Sequence, residues 1–315
     1  MLLPIFRLHK NAIMKKPAKD IRIKFNVDYA PDSAFSANAR LLQSRWRDNK
    51  GYPFKQYGNF LDIDFAIKTK SNFLTDNIKQ LVTVQIADSK SKGKLISEPR
   101  IWNNLLSSQP LCFNLFGELH YDMNLATSYF KKLFPDRIDK VLAVDFEHSP
   151  GRRDARFTGD RSAFDVFVEY SKGNKRGFIG IEVKYAESLK EETKDKAKSI
   201  FESHKNKYIE LTTSDYFKSD SIDSLCKAPV SQIWRDHLLS ISMKPIYDEG
   251  FFVFLFPADN VQCQNGVDEY KRLLVSDNEV QTGFYPRHLE DFIETLVEIL
   301  LTDWTNELKG RYLGI

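Results

Sequence analysis

The sequence predicts an α/β fold preceded by a basic, helical N-terminal extension, with elements in the order α, β, β, β, α, α, β, α. Three observations carry that prediction. Hydrophobic spacing is helical as far as Pro135 and then switches to a period of two. Three period-two runs follow one another with Gly, Pro and Asn between them, and an apolar run, FFVFLF at Phe251 to Phe256, comes after further helical spacing. The 315 residues are 42% hydrophobic and 13% aromatic, with 24 Phe, which is enough to fill a large buried core.

Taken in order, ARLLQSRWRDN is the first helical signal, followed by a loop with Gly51, Pro53 and Gly58. Asn72 to Ala87 sets Phe73, Ile78, Leu81 and Val82 on one stripe and predicts a second helix. A short helix is expected around Ile101 to Leu106. A long one starts near Pro110, whose missing N–H is one a helix start leaves unpaired anyway, and runs to Phe134, where Pro135 ends it. Strands are predicted at Val141 to His148, Ala163 to Tyr170 and Gly177 to Tyr185, as a meander. A helix over Glu187 to Leu211 follows, with Leu189, Ala197, His204, Tyr208 and Leu211 on one face, so that His204 reads as a core-edge histidine. The remainder is a helix at Val230 to Ser242, a buried strand GFFVFLFP, and terminal helices near Asp268 to Leu274 and His288 to Leu308.

Charge and composition exclude several classes. Lys+Arg 46 against Asp+Glu 43 gives +3, which rules out histone-like electrostatics. Basic residues nevertheless cluster at Arg7, Lys10, Lys15, Lys16, Lys19, Arg22 and Lys24, and again at Arg40, Arg45, Arg47, Lys50 and Lys55, as phosphate-docking patches or as a solvated arm. No apolar run approaches the roughly 18 residues of a membrane span, and the N-terminus lacks a secretory pattern. A cytoplasmic protein with no membrane partner is expected. Cys112, Cys226 and Cys263 stand far apart and off zinc spacing, so they read as buried thiols. The chain divides into a basic extension, 1–98, and a main domain, 99–315.

The most informative segment is the hairpin of the second and third strands. Gly173-Asn174 closes a tight turn. If it forms, Lys172 pairs with Lys175 and the register carries Asp165 opposite Glu182. Opposed Cβ atoms lie about 4.5–5.5 Å apart, a distance at which two carboxylates repel unless a cation sits between them. Glu182 and Lys184, two apart, share a face, with Phe167, Phe178 and Gly180 covering it. No GxxxxGK[ST], GxSxG, HExxH or GxGxxG occurs. A carboxylate pair would suit a glycosidase, but the adjacent lysine has no role there.

The run AFD followed by EVK in GIEVKY resembles the PD-(D/E)xK nuclease superfamily, without the proline that names it. SSQPLCFNLFGELHYD, VDFEHSPGRRDARFTGDRSAFD, QIWRDHLL and ARLLQSRWR extend the likeness over most of the chain, towards a bacterial branch of restriction endonucleases. The resemblance implies a restriction-endonuclease-like αβββαβ core with a mixed central sheet flanked by helices. It also implies a phosphodiester hydrolase using Mg²⁺, with Mn²⁺ as a substitute, held by Asp165, Glu182 and the Val183 carbonyl, with Lys184 on the attacking water.

Glu147 at the first strand's end, on the face of Asp145, and Glu118 on the leading helix are further acids the resemblance brings towards the metal. Gln232 and Arg235, three apart on one helix, imply a glutamine orienting the lysine or water and an arginine near phosphate. Arg152, Arg153, Arg156 and Arg161, in the loop before the second strand, are candidates for the DNA backbone. A DNA endonuclease of restriction or defence type is the expectation, as a homodimer if it cuts both strands. A repair or recombination nuclease of the same fold, an RNA-directed nuclease and a catalytically silent nucleic-acid-binding protein stay open.

Overall fold

The computed structural model describes residues 14–187, 189 and 193–314. Arg7, Lys10 and part of the stretch predicted as the start of the 187–211 helix lie outside them. The chain opens with α1 (Lys19–Lys24), α2 (Ala34–Asn49), α3 (Ile63–Thr69), α4 (Asp76–Lys92), α5 (Arg100–Asn103), α6 (Ser108–Tyr121) and α7 (Met123–Leu133). Strands β1 (Lys140–His148), β2 (Phe164–Lys172) and β3 (Lys175–Val183) follow, then α8 (Lys194–Leu211), α9 (Ile222–Leu225), α10 (Ser231–Ser242) and β4 (Glu249–Phe256). The chain closes with α11 (Val261–Leu273), α12 (Glu279–Thr282), β5 (Phe284–His288), α13 (Leu289–Ile299) and α14 (Asp303–Leu313).

The sheet runs β1-β2-β3-β4-β5. The first three strands are an antiparallel meander, as expected, and β4 and β5 add in parallel, which makes the sheet mixed. Gly173 takes the left-handed φ of +55° that the hairpin turn requires, and the ladder runs from Lys172–Lys175 to Val166–Ile181 in the expected register.

Alternation builds two cores. Val166, Val168, Tyr170, Ile179, Ile181, Val183, Phe251, Val253 and Leu255 face one, with Leu111, Leu115 and Phe116 of α6. Phe167, Phe178, Phe252 and Phe254 face the other, with Phe201 and Tyr208 of α8 and Ile233 and Trp234 of α10. The helices before residue 99 contribute Ala39, Trp46, Ala66, Ile78 and Val82, and the turn between α3 and α4 contributes Phe73, to the first core alongside Leu308 and Tyr312. Fully buried Arg311 fastens the two ends of the chain, donating to Gln43 Oε1 at 3.0 Å and to Asn72 O and Oδ1 at 2.7 and 2.6 Å.

Several boundaries differ from expectation, each for a local reason. The single helix expected to end at Pro135 is two, because Asp122 turns extended and its Oδ1 accepts the N–H groups of Asn124 and Leu125 at 3.0 and 2.9 Å, starting α7 afresh. The helix expected over 187–211 starts at Lys194 behind the Thr193 cap. The one expected over 288–308 splits into α13 and α14, the second opened by a capping box at Thr302. Strand β5 was not foreseen: Pro286 removes a ladder donor, which an edge strand tolerates. Arg40 and Arg47 of the second basic cluster are buried, Arg40 held by Asp32 at 2.7 and 2.8 Å, so they are not phosphate-docking groups. The cysteines are free, with Cys112 and Cys263 buried and Cys226 half-buried. No helix among the described residues is long and apolar enough to cross a membrane.

Candidate active site

The hairpin register sets Asp165 and Glu182 opposite each other, one step beyond the last paired residues, Val166 and Ile181. There the ladder stops. Asp165 Oδ2 accepts the main-chain N–H of Val183 at 2.9 Å, and Phe164 packs in the second core while Val166 packs in the first, so β2 breaks its alternation and peels away from β3 at this acid. The opposed pair expected from the sequence is therefore splayed. Two carboxylates repel at ladder distance, and a carboxylate that captures a main-chain donor gains a charge-assisted bond. Burial first, then repulsion from Glu182 and Glu147, pushes the Asp165 carboxyl well above the ordinary carboxylate range.

Glu182 and Lys184 share a covered face, as expected. Glu182 is only 6% exposed, and its Oε1 accepts both Lys184 Nζ at 2.8 Å and Gln232 Nε2 at 2.9 Å. Gln232 comes from α10, packed on the second face of the sheet, and it orients the acid; the lysine is held by Glu182. Burial alone would lower the pKa of Lys184, but the Glu182 and Asp165 carboxylates outweigh it and hold the ammonium well above lysine's ordinary value.

The first strand brings Glu147 from the other side. The Phe146–Val166 and His148–Phe164 pairs bracket Glu147 and Asp165 and set them opposite each other, so three acids cross three strands. Glu147 has a left-handed φ of +49°, a conformation that a non-glycine residue keeps only when its surroundings impose it. Two partners do so: Gln109 Nε2 of α6 donates to Oε1 at 2.9 Å, and Arg152 Nη2 reaches Oε2 at 3.2 Å. The kink separates Glu147 from Asp145, which pairs with Phe167 of the second core, so the two do not share the expected face. Burial raises the Glu147 pKa, the Gln109 and Arg152 contacts oppose it, and Glu182 adds to the rise.

The start of α6 faces this group. Its N-cap, Ser107, makes no side-chain cap, and Glu187 supplies one instead, accepting Ser108 N–H at 2.7 Å and Tyr185 N–H at 2.9 Å. One turn on, the buried Cys112 thiol is pushed up by burial, with the charges of Asp165, Glu182, Glu147 and Glu187 adding to the rise.

Other candidates fall elsewhere. Glu118 is nine residues beyond Gln109 on the same helix, about 13 Å at 1.5 Å per residue. It accepts from Thr75 Oγ1 and from Asn77 Nδ2 at 3.0 Å, which ties it to the start of α4 and keeps it from the acids. Arg152, expected on the DNA backbone, is spent on Glu147 and on the carbonyl of Arg161 at 2.7 Å. Arg156 is exposed and paired with Asp154 at 2.6 Å, while Arg153 and Arg161 are exposed. Arg235 lies on α10 three residues past Gln232.

Two buried polar residues give little sign of themselves in the sequence. Gln109 is one more amide in SSQPLCFNL. Asp236, one turn past Gln232, is 7% exposed with Oδ2 lacking a hydrogen-bond partner, and its pKa is raised well above normal by burial and then by Glu182. Its i, i+4 spacing from Gln232 was the available signal.

A mixed sheet flanked by helices, with an acid where two antiparallel strands part and an acid-x-lysine on the second of them, defines a nuclease-type α/β domain. The sequence profile of the PD-(D/E)XK nuclease superfamily matches residues 30–314, and the chain belongs to that superfamily. No curated protein and no solved structure matches it. Among the described residues, no group of three or more His, Cys, Asp or Glu side chains is gathered to hold a metal ion. Glu147 is turned to Gln109 and Arg152, which leaves Asp165 and Glu182 as the pair.

Proposed function

We propose that the chain is a Mg²⁺-dependent nuclease that hydrolyses DNA phosphodiester bonds, of restriction or defence type. The observation that carries the reading is the Asp165–Glu182 pair at the parting of β2 and β3, with Lys184 fixed on Glu182 at 2.8 Å. The donor set suits the ion: two hard carboxylates, one of them driven up in pKa by burial and by its neighbours' charge, gain most from a dication. Asp165, Glu182 and the Val183 carbonyl would hold it, with Mn²⁺ as a substitute. When bound, the metal supplies positive charge for the phosphate as negative charge builds on it.

The protein's own groups do the rest. Gln232 keeps Glu182 in one rotamer. Lys184, fully protonated at neutral pH, orients the attacking water and balances charge on the scissile phosphate. Gln109 and Arg152 hold Glu147, which lies on β1 across from Asp165. Arg153, Arg156 and Arg161 lie on the loop entering β2, where their guanidinium forks would meet the backbone. Cutting both strands would call for a homodimer.

A catalytically silent nucleic-acid-binding protein is the second reading, favoured by the lack of a three-acid group among the described residues. Closed circular and linear DNA, and a single-stranded RNA, incubated with Mg²⁺, Mn²⁺ or EDTA separate the two. Metal-dependent nicking of circles supports the proposal. DNA binding without cleavage in either metal favours the silent reading.

A further inference from the structure

The loop between β1 and β2, residues 149–163, carries the outward arginines, yet it is held from within by one buried acid. Asp160 is 7% exposed. Its Oδ1 accepts from Thr158 Oγ1 at 2.6 Å and from Ser162 N–H at 2.8 Å, and its Oδ2 from Ser162 Oγ at 2.7 Å and Tyr208 Oη at 2.5 Å. Its carbonyl accepts the N–H of Arg153 at 2.5 Å, and Arg152 reaches the carbonyl of Arg161 at 2.7 Å, so the two limbs of the loop are laced together. Four donors on one buried carboxylate amount to a hub, because charge-assisted bonds in a dry setting are the strong ones.

Tyr208 belongs to α8, which also presents exposed Lys194, Lys198 and Lys205 along one side. The loop meets this helix where its backbone is irregular. His204 leaves helical geometry at φ −126°, ψ 15°, and a Cβ on Gly159 would lie 3.7 Å from its ring nitrogen. Gly159 itself has φ +76°.

We infer that Asp160 and Tyr208 form a latch that fixes the arginine loop to α8 and so presents Arg153, Arg156 and Arg161, together with the α8 lysines, as one rigid surface for the phosphates of a nucleic acid. The inference rests on the nuclease reading and adds a positioning device to it. Asp160 and Tyr208 touch no substrate; they act through the arginines. A rigid presentation saves the ordering entropy that a loose basic loop would lose on binding.

Tyr208→Phe removes the tie to α8 while keeping the ring against Trp234, and Asp160→Asn removes the charge of the hub. Two readouts are needed. Limited trypsin digestion reports the loop directly, because its arginines are cleavage sites: the variants should be cut there about tenfold faster than wild type, with the rest of the chain protected. Titration of a 30-base-pair duplex should show Kd weakened about tenfold and a salt slope flattened by about one for each phosphate the loop no longer grips; KM for cleavage should rise with kcat unchanged.

Faster tryptic cutting with unchanged Kd and salt slope overturns the positioning role. Unchanged tryptic rates in Tyr208→Phe overturn the latch. A wild type that binds no DNA removes the nuclease reading beneath the proposal instead, a failure seen without any variant.

Discussion

Glu182→Ala asks whether Lys184 is truly half of a buried pair. The two side chains are 12% and 8% exposed and meet at 2.8 Å. Removing one partner of such a pair costs about 3–5 kcal/mol, because the other charge stays buried. Gln232 also loses its acceptor, about 1 kcal/mol. Against this, Asp165 is relieved of Glu182's repulsion and can take up part of the ammonium's field, so the low end, about 3 kcal/mol, is the better figure. For a domain of this size that is a fall in Tm of about 4–5 °C.

The pair holds the Lys184 pKa above lysine's ordinary 10.5, so its stabilisation is complete below that value and is lost only as pH climbs past it. A measurement at about pH 7.5 therefore reads all of it. The assay is thermal and urea unfolding in EDTA, followed by circular dichroism. Glu182→Ala/Lys184→Met, which removes the stranded charge, should recover more than half of the loss. A single variant as stable as wild type, or a double variant no better than the single, would refute the reasoning.

Asp165→Asn should abolish metal-dependent cleavage yet match or exceed wild type in metal-free Tm, since burial and repulsion penalise the ionised acid. Its folded pKa is raised, so the penalty grows as pH rises above the ordinary carboxylate range, and the variant's advantage should widen as pH climbs from about 4; a narrowing gap contradicts it. Gln109→Ala should slow cleavage by freeing Glu147, and should lower Tm as well, because the buried amide also holds Ser97 N–H and the Leu95 carbonyl; wild-type rates would sink the positioning role. Lys184→Ala and Lys184→Arg should both turn over slowly in single-turnover assays while still binding Mg²⁺ and DNA, because a guanidinium is planar and bulkier than an ammonium. A fast arginine variant would show that charge alone suffices.

What was legible in the sequence was local. The Gly173-Asn174 turn sets the register, and the register carries Asp165 to the place opposite Glu182, one step past the last paired residues. The covered face was readable from Phe167 and Phe178. The ladder's end was not, since where β2 parts from β3 depends on Asp165 finding the Val183 N–H, a contact between side chain and backbone with no periodicity.

Long-range polar partners were equally silent. Gln109 meets Glu147 from 38 residues away and Tyr208 meets Asp160 from 48. Glu118 came from the resemblance, and its partners in the fold are Thr75 and Asn77 at the start of α4, which the string does not announce. Arg152, expected on the DNA backbone, reaches back to Glu147 and the Arg161 carbonyl, a fold-back of the loop onto its own strand that a string cannot show.

The central claim is that Asp165 and Glu182 together hold a divalent metal, and the direct measurement is the Tm of metal-free protein as Mg²⁺ is added. At 100 times its Kd a ligand adds about 2.7 kcal/mol, which should raise the wild-type Tm by about 4 °C. Asp165→Asn/Glu182→Gln should show no rise. Equal shifts in the two proteins would mean that the ion binds elsewhere and would contradict the account.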